Sequence, residues 1–186
     1  MWLLVAGLLL FLCAHLSPGV LGLRGLLVNR LGEGRFLAIY IAMSVPGMVC
    51  IITGKFIAPF INIWTPPDWS RVAALILVAF GLILLAALLL PTNLRRLTRH
   101  PMLWGIALWS AGHLLANGDA ASMILFGGFG GYALISIWSL NRRGAKKSTL
   151  TYSVLNDVVL LAVGLGVYAG LLWLHPYLFG VAAIIY

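Results

Sequence analysis

Hydrophobic residues form long, nearly unbroken runs along this chain, and short polar stretches separate the runs. Six runs reach or approach the length of a membrane span, at residues 2–23, 36–57, 71–90, 101–116, 122–140 and 151–174. About 20 consecutive apolar residues match the thickness of the bilayer core. The segment 175–186 is too short to cross and is expected to lie at the outer interface. The pattern predicts an all-α fold, a polytopic membrane helix bundle of about six transmembrane helices.

The composition supports this fold class and limits the number of domains. Hydrophobic residues make up 62% of the 186 residues and charged residues 9%, and the mean hydropathy is +1.07. No segment is polar enough to form a separate soluble domain. We therefore expect a single integral membrane domain over residues 1–186, with the lipid bilayer as its main partner.

The net charge of +8 comes from basic residues that are unevenly distributed. Ten of the 12 Lys and Arg residues lie in three short segments, 24–35, 91–100 and 141–150, while Lys55 and Arg71 lie towards the other side. This asymmetry follows the positive-inside rule, so it predicts that both termini lie outside. The charge indicates membrane topology and suits contact with anionic lipid. It does not point to a nucleic-acid partner.

Two histidines, His15 and His113, lie within the apolar runs, and His100 lies where the fourth predicted helix begins. An ionisable side chain at membrane depth is costly, so its default interpretation is functional. Trp109 lies one turn before His113 and Gly105 one turn before Trp109, on the same helix face. Such a face suits a flat aromatic ligand. For His15, the alternative is a packing residue bonded to a backbone carbonyl.

The pattern of candidate ligands favours haem among metal cofactors. The sequence has neither a Cys/His cluster with zinc spacing nor an acidic pair at chelating distance. Two isolated histidines suffice for haem, because the porphyrin supplies the other four ligands. The Cys-x-x-Cys-His attachment motif is absent, so the haem would be non-covalent haem b. His15 lies at a predicted depth between those of His100 and His113, so depth alone leaves open which of the two pairs with it.

Acidic residues near helix ends have expected structural roles. Asp119 precedes the fifth predicted helix and is expected to be its N-cap. Asp157 lies about one turn inside the inner end of the sixth predicted helix and is expected to partner His100 or an arginine. No acidic residue is predicted at mid-membrane, which disfavours an ion or proton carrier.

Small residues predict where helices approach closely. The glycines in 127–131 give the fifth predicted helix a small-residue face, and Gly166 with Gly170 gives the sixth another. A cofactor lying against the 127–131 face is the alternative interpretation. The run 71–90 is almost purely aliphatic and is expected to face lipid.

Several stretches of this chain resemble the NnrU family, and together they cover nearly its whole length. They are the first span with its embedded His15, the loop Trp64-Thr65-Pro66-Pro67, the motif His100-Pro101-Met102-Leu103-Trp104-Gly105, the stretch from Trp109 to Asp119, and His175-Pro176-Tyr177-Leu178-Phe179-Gly180-Val181. That family is bacterial and is linked by name to nitrite and nitric oxide metabolism. It is similar to the plant 15-cis-zeta-carotene isomerase, a membrane enzyme whose haem b has two histidine ligands.

The resemblance implies a bacterial inner-membrane protein with a haem site. His15 and His113 would be the metal ligands and His100 an accessory residue. Gly105 and Trp109 are expected to contact the cofactor because they share the helix face of His113. Two functions fit this site, and the resemblance identifies no catalytic residue for either. One is nitrogen-oxide-linked metabolism or redox-switched isomerisation of a lipid-soluble polyene. The other is a non-catalytic haem or nitric oxide sensor, while a small-solute carrier fits less well.

Overall fold

The computed structural model describes residues 1–19 and 22–183, and regular structure in this part is helical. An isolated bridge between Asn62 and Asp119 is the one β-type pairing in the described part of the chain. The helices are α1 (Trp2–Gly19), α2 (Arg24–Leu31), α3 (Glu33–Phe56), α4 (Asp68–Ala86), α5 (Leu94–Leu97), α6 (Pro101–Ala116), α7 (Ala120–Arg142) and α8 (Val154–Phe179). The all-α fold class is thereby confirmed. We call the side that carries the basic segments 24–35, 91–100 and 141–150 the inner side.

Four of the described helices are long and apolar enough to cross a membrane, namely α3, α4, α7 and α8. The histidine-bearing helices are shorter, with 18 residues in α1 and 16 in α6. A helix of 16 residues is about 24 Å long, less than the bilayer core of about 30 Å. The chain is a multi-pass membrane protein in contact with lipid, whereas the predicted count of six spans is not confirmed.

The last helix extends beyond the predicted end of the sixth span. α8 continues to Phe179 and contains Pro176, where an interfacial segment from residue 175 was predicted. Gly180 ends the helix at φ 72°, and its N–H donates to the carbonyl of Pro176. Pro176 has no N–H, so the helix continues past it without the bond to the carbonyl of Leu172. The predicted segment is therefore partly helical, and residues 184–186 lie outside the described part.

The helices pack as a series of neighbours in the order α3, α1, α7, α6, α4, α8. In this series α7 lies between the two histidine-bearing helices and packs against both. α4, which contains most of the run expected to face lipid, instead packs extensively against α6 and also against α8. One face of α4 nevertheless presents exposed apolar side chains, including Val72, Ile76 and Phe80, as expected, while small residues on its other face allow the close packing that the sequence did not indicate.

The closest approach of α4 and α6 occurs at a pair of glycines. A Cβ added to Gly81 would lie 2.9 Å from the carbonyl oxygen of Gly105, and one added to Gly105 would lie 2.8 Å from that of Gly81. Gly105 thus packs against backbone. On α8, the predicted pair Gly166 and Gly170 faces open space, whereas Gly164 packs against Ile83 of α4.

An outer turn joins α3 to the start of α7. The carbonyl of Gly118 accepts hydrogen bonds from the N–H groups of Ile63 and Trp64 at 2.8 and 3.2 Å. A Cβ on Gly118 would overlap the carbonyl oxygen of Trp64. Gly118 therefore permits a close backbone contact and does not take the left-handed cap conformation that its place after Asn117 predicts.

On the inner side, Asp157 fixes the segment after α4 to the start of α8. Its carboxylate accepts from the hydroxyl of Thr92 at 2.7 Å and from the backbone N–H and side-chain amide of Asn93 at 2.9 and 2.7 Å. The predicted partnership of Asp157 with His100 or an arginine is wrong. The nearby loop supplies enough neutral donors to satisfy the carboxylate.

Candidate functional site

His15 lies four residues before the end of α1, half-buried among aromatic rings. Its imidazole stacks on Phe11 at 4.0 Å between centroids, with Tyr40 at 5.0 Å and Tyr132 at 6.0 Å. Its Nδ1 lies 2.8 Å from the carbonyl oxygen of Phe11, which is the backbone bond that the packing interpretation of His15 predicts. A carbonyl only accepts, so Nδ1 is the donor in this contact, and Nε2 is the ring nitrogen that the contact leaves free.

His113 repeats this arrangement in the last turn of α6. Its Nδ1 lies 2.9 Å from the carbonyl oxygen of Trp109, four residues earlier. Its ring stacks on Phe126 at 4.4 Å and contacts Trp109 at 5.0 Å. The same donor argument leaves Nε2 of His113 free. Both histidines therefore present the nitrogen that a metal requires.

Two serines close in sequence to the histidines do not serve as their partners. The hydroxyl of Ser17 donates to the carbonyl of Cys13 at 2.6 Å. The buried hydroxyl of Ser110 has no hydrogen-bond partner among the described residues. On a helix, the carbonyl oxygen four residues earlier lies within reach of a histidine Nδ1. Both histidines therefore bond to the backbone and not to a serine hydroxyl.

A ring from α7 connects the two histidine clusters. Phe129 contacts Phe11 at 5.6 Å and Trp109 at 5.9 Å. His15 lies beside Tyr132 and His113 beside Phe126. These α7 residues are six positions apart, or about 9 Å along the helix axis. The imidazoles thus lie at different levels, and ring contacts connect them through intermediate side chains.

A small cavity of about 130 Å³ adjoins His15. Its walls combine apolar residues of α6 with polar groups of α7, and they are His15, Gly19, Met102, Leu103, Tyr132, Ser136, Leu140 and Arg143. Small-molecule sites usually measure about 300–1,000 Å³. The cavity therefore extends the His15 cluster but does not by itself hold a large planar ligand.

His100 belongs to neither cluster. It is the N-cap residue of α6, and its Nε2 lies 3.1 Å from the side-chain oxygen of Asn141. Of the residues predicted to contact a cofactor, the structure places Trp109 beside His113, Gly105 against α4 and His100 at the inner edge. The described residues contain no group of three or more His, Cys, Asp or Glu side chains able to hold a metal ion.

Sequence reasoning missed most of the aromatic neighbours. Tyr40, Phe126 and Tyr132 come from helices whose positions the sequence does not specify. One local signal was present, because Phe11 and Trp109 each precede a histidine by four residues. This spacing places an aromatic ring and an imidazole on one helix face in both α1 and α6.

Asp119 is an N-cap, as predicted, and it also takes part in an ion pair that was not predicted. Its carboxylate accepts from the backbone N–H of Ser122 at 2.9 Å and from the ammonium of Lys55 at 2.9 Å. Burial by itself raises the pKa of Asp119, but hydrogen bonds from Ser122 and Lys55 outweigh it, so the pKa is lowered. The signal for this pair was that Lys55 is one of two basic residues outside the inner segments.

The comparisons with known proteins match the chain at the level of a family. The family model described as NnrU protein matches residues 3–183. No curated protein and no solved structure matches the chain.

Proposed function

The chain belongs to the NnrU family, and from this premise we propose that it binds b-type haem non-covalently through His15 and His113. The observation that carries this proposal is the bond that each Nδ1–H donates to the carbonyl one turn earlier. Such a bond fixes the tautomer and the ring orientation, and it increases the basicity of the free nitrogen. Two histidines prepared in the same way are what axial ligation of haem requires.

The side chains around the two histidines are apolar and aromatic, which suits the flat apolar ring of a porphyrin. Stacked and tilted aromatic rings surround both imidazoles, and they offer flat apolar surfaces within a membrane bundle. Phe129 contacts both clusters, so its ring has to be accommodated when both histidines hold one group. The protein's contribution is to orient two nitrogens and to supply an apolar environment. The haem supplies an iron that changes oxidation state.

We further propose that the protein acts in the bacterial inner membrane, with both termini outside, on a lipid-soluble substrate. The support is that partly buried aromatic side chains from α1, α6 and α7 surround both histidines and offer apolar surfaces to such a substrate. Redox-switched isomerisation of such a polyene is the proposed reaction. Turnover of a poly-cis carotene by the reduced protein tests it, and nitric oxide binding without turnover would indicate a sensor instead.

The ligand assignment is tested by absorption spectroscopy of the purified protein. We expect a low-spin, six-coordinate haem spectrum. His15→Ala and His113→Ala should each give a five-coordinate spectrum or lose the haem, because each removes one axial nitrogen.

His100→Ala is the matched control, since His100 bonds Asn141 outside both clusters, and it should keep the wild-type spectrum. Loss of haem in His100→Ala with retention in His113→Ala would assign the second ligand to the inner edge. Absence of haem from the protein under every growth condition would refute the cofactor.

A further inference from the structure

A cavity of about 470 Å³ lies at the inner side, where the ends of α4, α6 and α7 meet the segment 143–153. We call it the inner basic cavity, and we define it by its five basic lining residues: Arg95, Arg99, His100, Lys146 and Lys147. Its volume falls within the usual range for small-molecule sites, about 300–1,000 Å³. It shares Met102, Leu103 and Leu140 with the small cavity beside His15, but none of the aromatic rings around His15 and His113 lines it.

The positive charges of this cavity are not neutralised within the described residues. The ion pairs among the described residues are Arg24 with Glu33 and Lys55 with Asp119, and none of these four residues lines the cavity. No carboxylate appears among the lining residues. Four permanent cations around one concavity produce a field that attracts an anion.

Neutral acceptors orient the two arginines without cancelling their charge. The guanidinium of Arg95 donates to the carbonyl of Ala87 at 2.6 Å, at the end of α4. Nη1 of Arg99 donates to the side-chain oxygen of Asn141 at 3.1 Å, the same oxygen that His100 contacts. Such fixed guanidinium groups can still use their remaining N–H groups to bind phosphate oxygens.

Other basic residues of the inner side show how the cavity residues differ. Arg142 lies over the ring of Trp138 at 4.5 Å, and Arg96 and Arg35 are exposed outside the cavity. The positive-inside rule depends only on how many basic residues lie on one side of the membrane. Convergence of Arg95, Arg99 and two lysines on one concavity is an additional property.

We propose that the inner basic cavity binds a phosphate group, carried either by an anionic lipid headgroup or by a free phosphate. The position at the inner end of a membrane bundle places the cavity at the depth of lipid headgroups. Phosphate oxygens match the donors that the cavity offers. This proposal rests on residues other than those of the haem proposal, because neither His15 nor His113 lines this cavity.

The test is binding of phosphatidylglycerol to the detergent-solubilised full chain, with phosphatidylcholine as the neutral comparison. The double variant Arg99→Gln/Lys146→Gln removes two cavity charges. The matched control, Arg96→Gln/Arg35→Gln, removes two charges of the same side outside the cavity. Each cavity charge contributes about fivefold in affinity, so the first variant should bind roughly 25-fold more weakly.

We expect the control double variant to keep wild-type affinity within about twofold, since Arg96 and Arg35 are exposed outside the cavity lining and salt screens exposed charges. Equal loss in both double variants would overturn the proposal, because it would assign binding to general surface charge. Competition by inorganic phosphate separates the two sources. Displacement of lipid at millimolar phosphate assigns the site to free phosphate, and resistance assigns it to the headgroup. Failure of the wild-type protein to prefer phosphatidylglycerol and to bind phosphate would refute the site.

Discussion

At the outer side, the carboxylate of Asp119 makes several polar contacts. It accepts from the backbone N–H and hydroxyl of Ser122 and from the ammonium of Lys55. Its side chain is 10% exposed and that of Lys55 is 34% exposed, so water screens the pair only in part. An amide at this position can still cap α7 but cannot carry the charge.

We therefore expect Asp119→Asn to lower the free energy of unfolding by about 1.5–3 kcal/mol, because a charged hydrogen bond is lost. This exceeds the loss of about 1 kcal/mol expected for a cap alone. Thermal unfolding in detergent measures the effect. Asp68→Asn is the control, since Asp68 is exposed and lies at the start of α4. A loss no larger than that of the control would show that the ion pair contributes nothing.

The same carboxylate predicts how stability depends on pH. Its pKa is lowered in the folded protein, so the stabilisation is complete above the unfolded pKa of about 3.9 and disappears as the pH falls through the folded value. The difference in melting temperature between wild type and Asp119→Asn should be constant above about pH 5 and should shrink below about pH 4. A difference that stays constant down to pH 3 would contradict the assignment.

At the scale of elements, the pairing of α4 with α6 depends on Gly81 and Gly105. Gly105→Ala places a methyl group against the backbone of Gly81, so we expect a loss of about 1–3 kcal/mol in unfolding free energy. Gly166→Ala on α8 faces open space and should be neutral or slightly stabilising. Comparison of the two melting temperatures in detergent tests the pairing. Unchanged stability of Gly105→Ala would show that α4 and α6 can move apart freely.

The helices were largely predictable, because apolar runs coincide with α3, α4, α6 and α7 to within a few residues. The continuation of α8 through Pro176 was not, since proline usually signals a helix end. The histidines were found from their depth. The place of α7 between them was not predictable, because it depends on which of 21 glycines approach another helix.

At the scale of the whole molecule, the distribution of basic residues predicts orientation. Reporter fusions at Arg95 and Lys146 should give cytoplasmic signals, and a fusion at the C-terminus should give an outside signal, since positively charged segments stay on the cytoplasmic side. A cytoplasmic signal at the C-terminus would require an odd number of spans. It would leave the side of the inner basic cavity unchanged, because the fusions at Arg95 and Lys146, which line that cavity, report it directly.

The ion pair between Lys55 and Asp119 also has a consequence for biosynthesis. The partners are 64 residues apart, so Asp119 is synthesised roughly 3–13 s after Lys55 at the usual translation rates. During that interval, Lys55 lacks its counter-charge. Until then α3 is held to α1 by packing, including the buried contact of Leu4 and Leu8 with Ile51, without help from this ion pair. The ion pair that links the end of α3 to the start of α7 forms only after Asp119 has been synthesised.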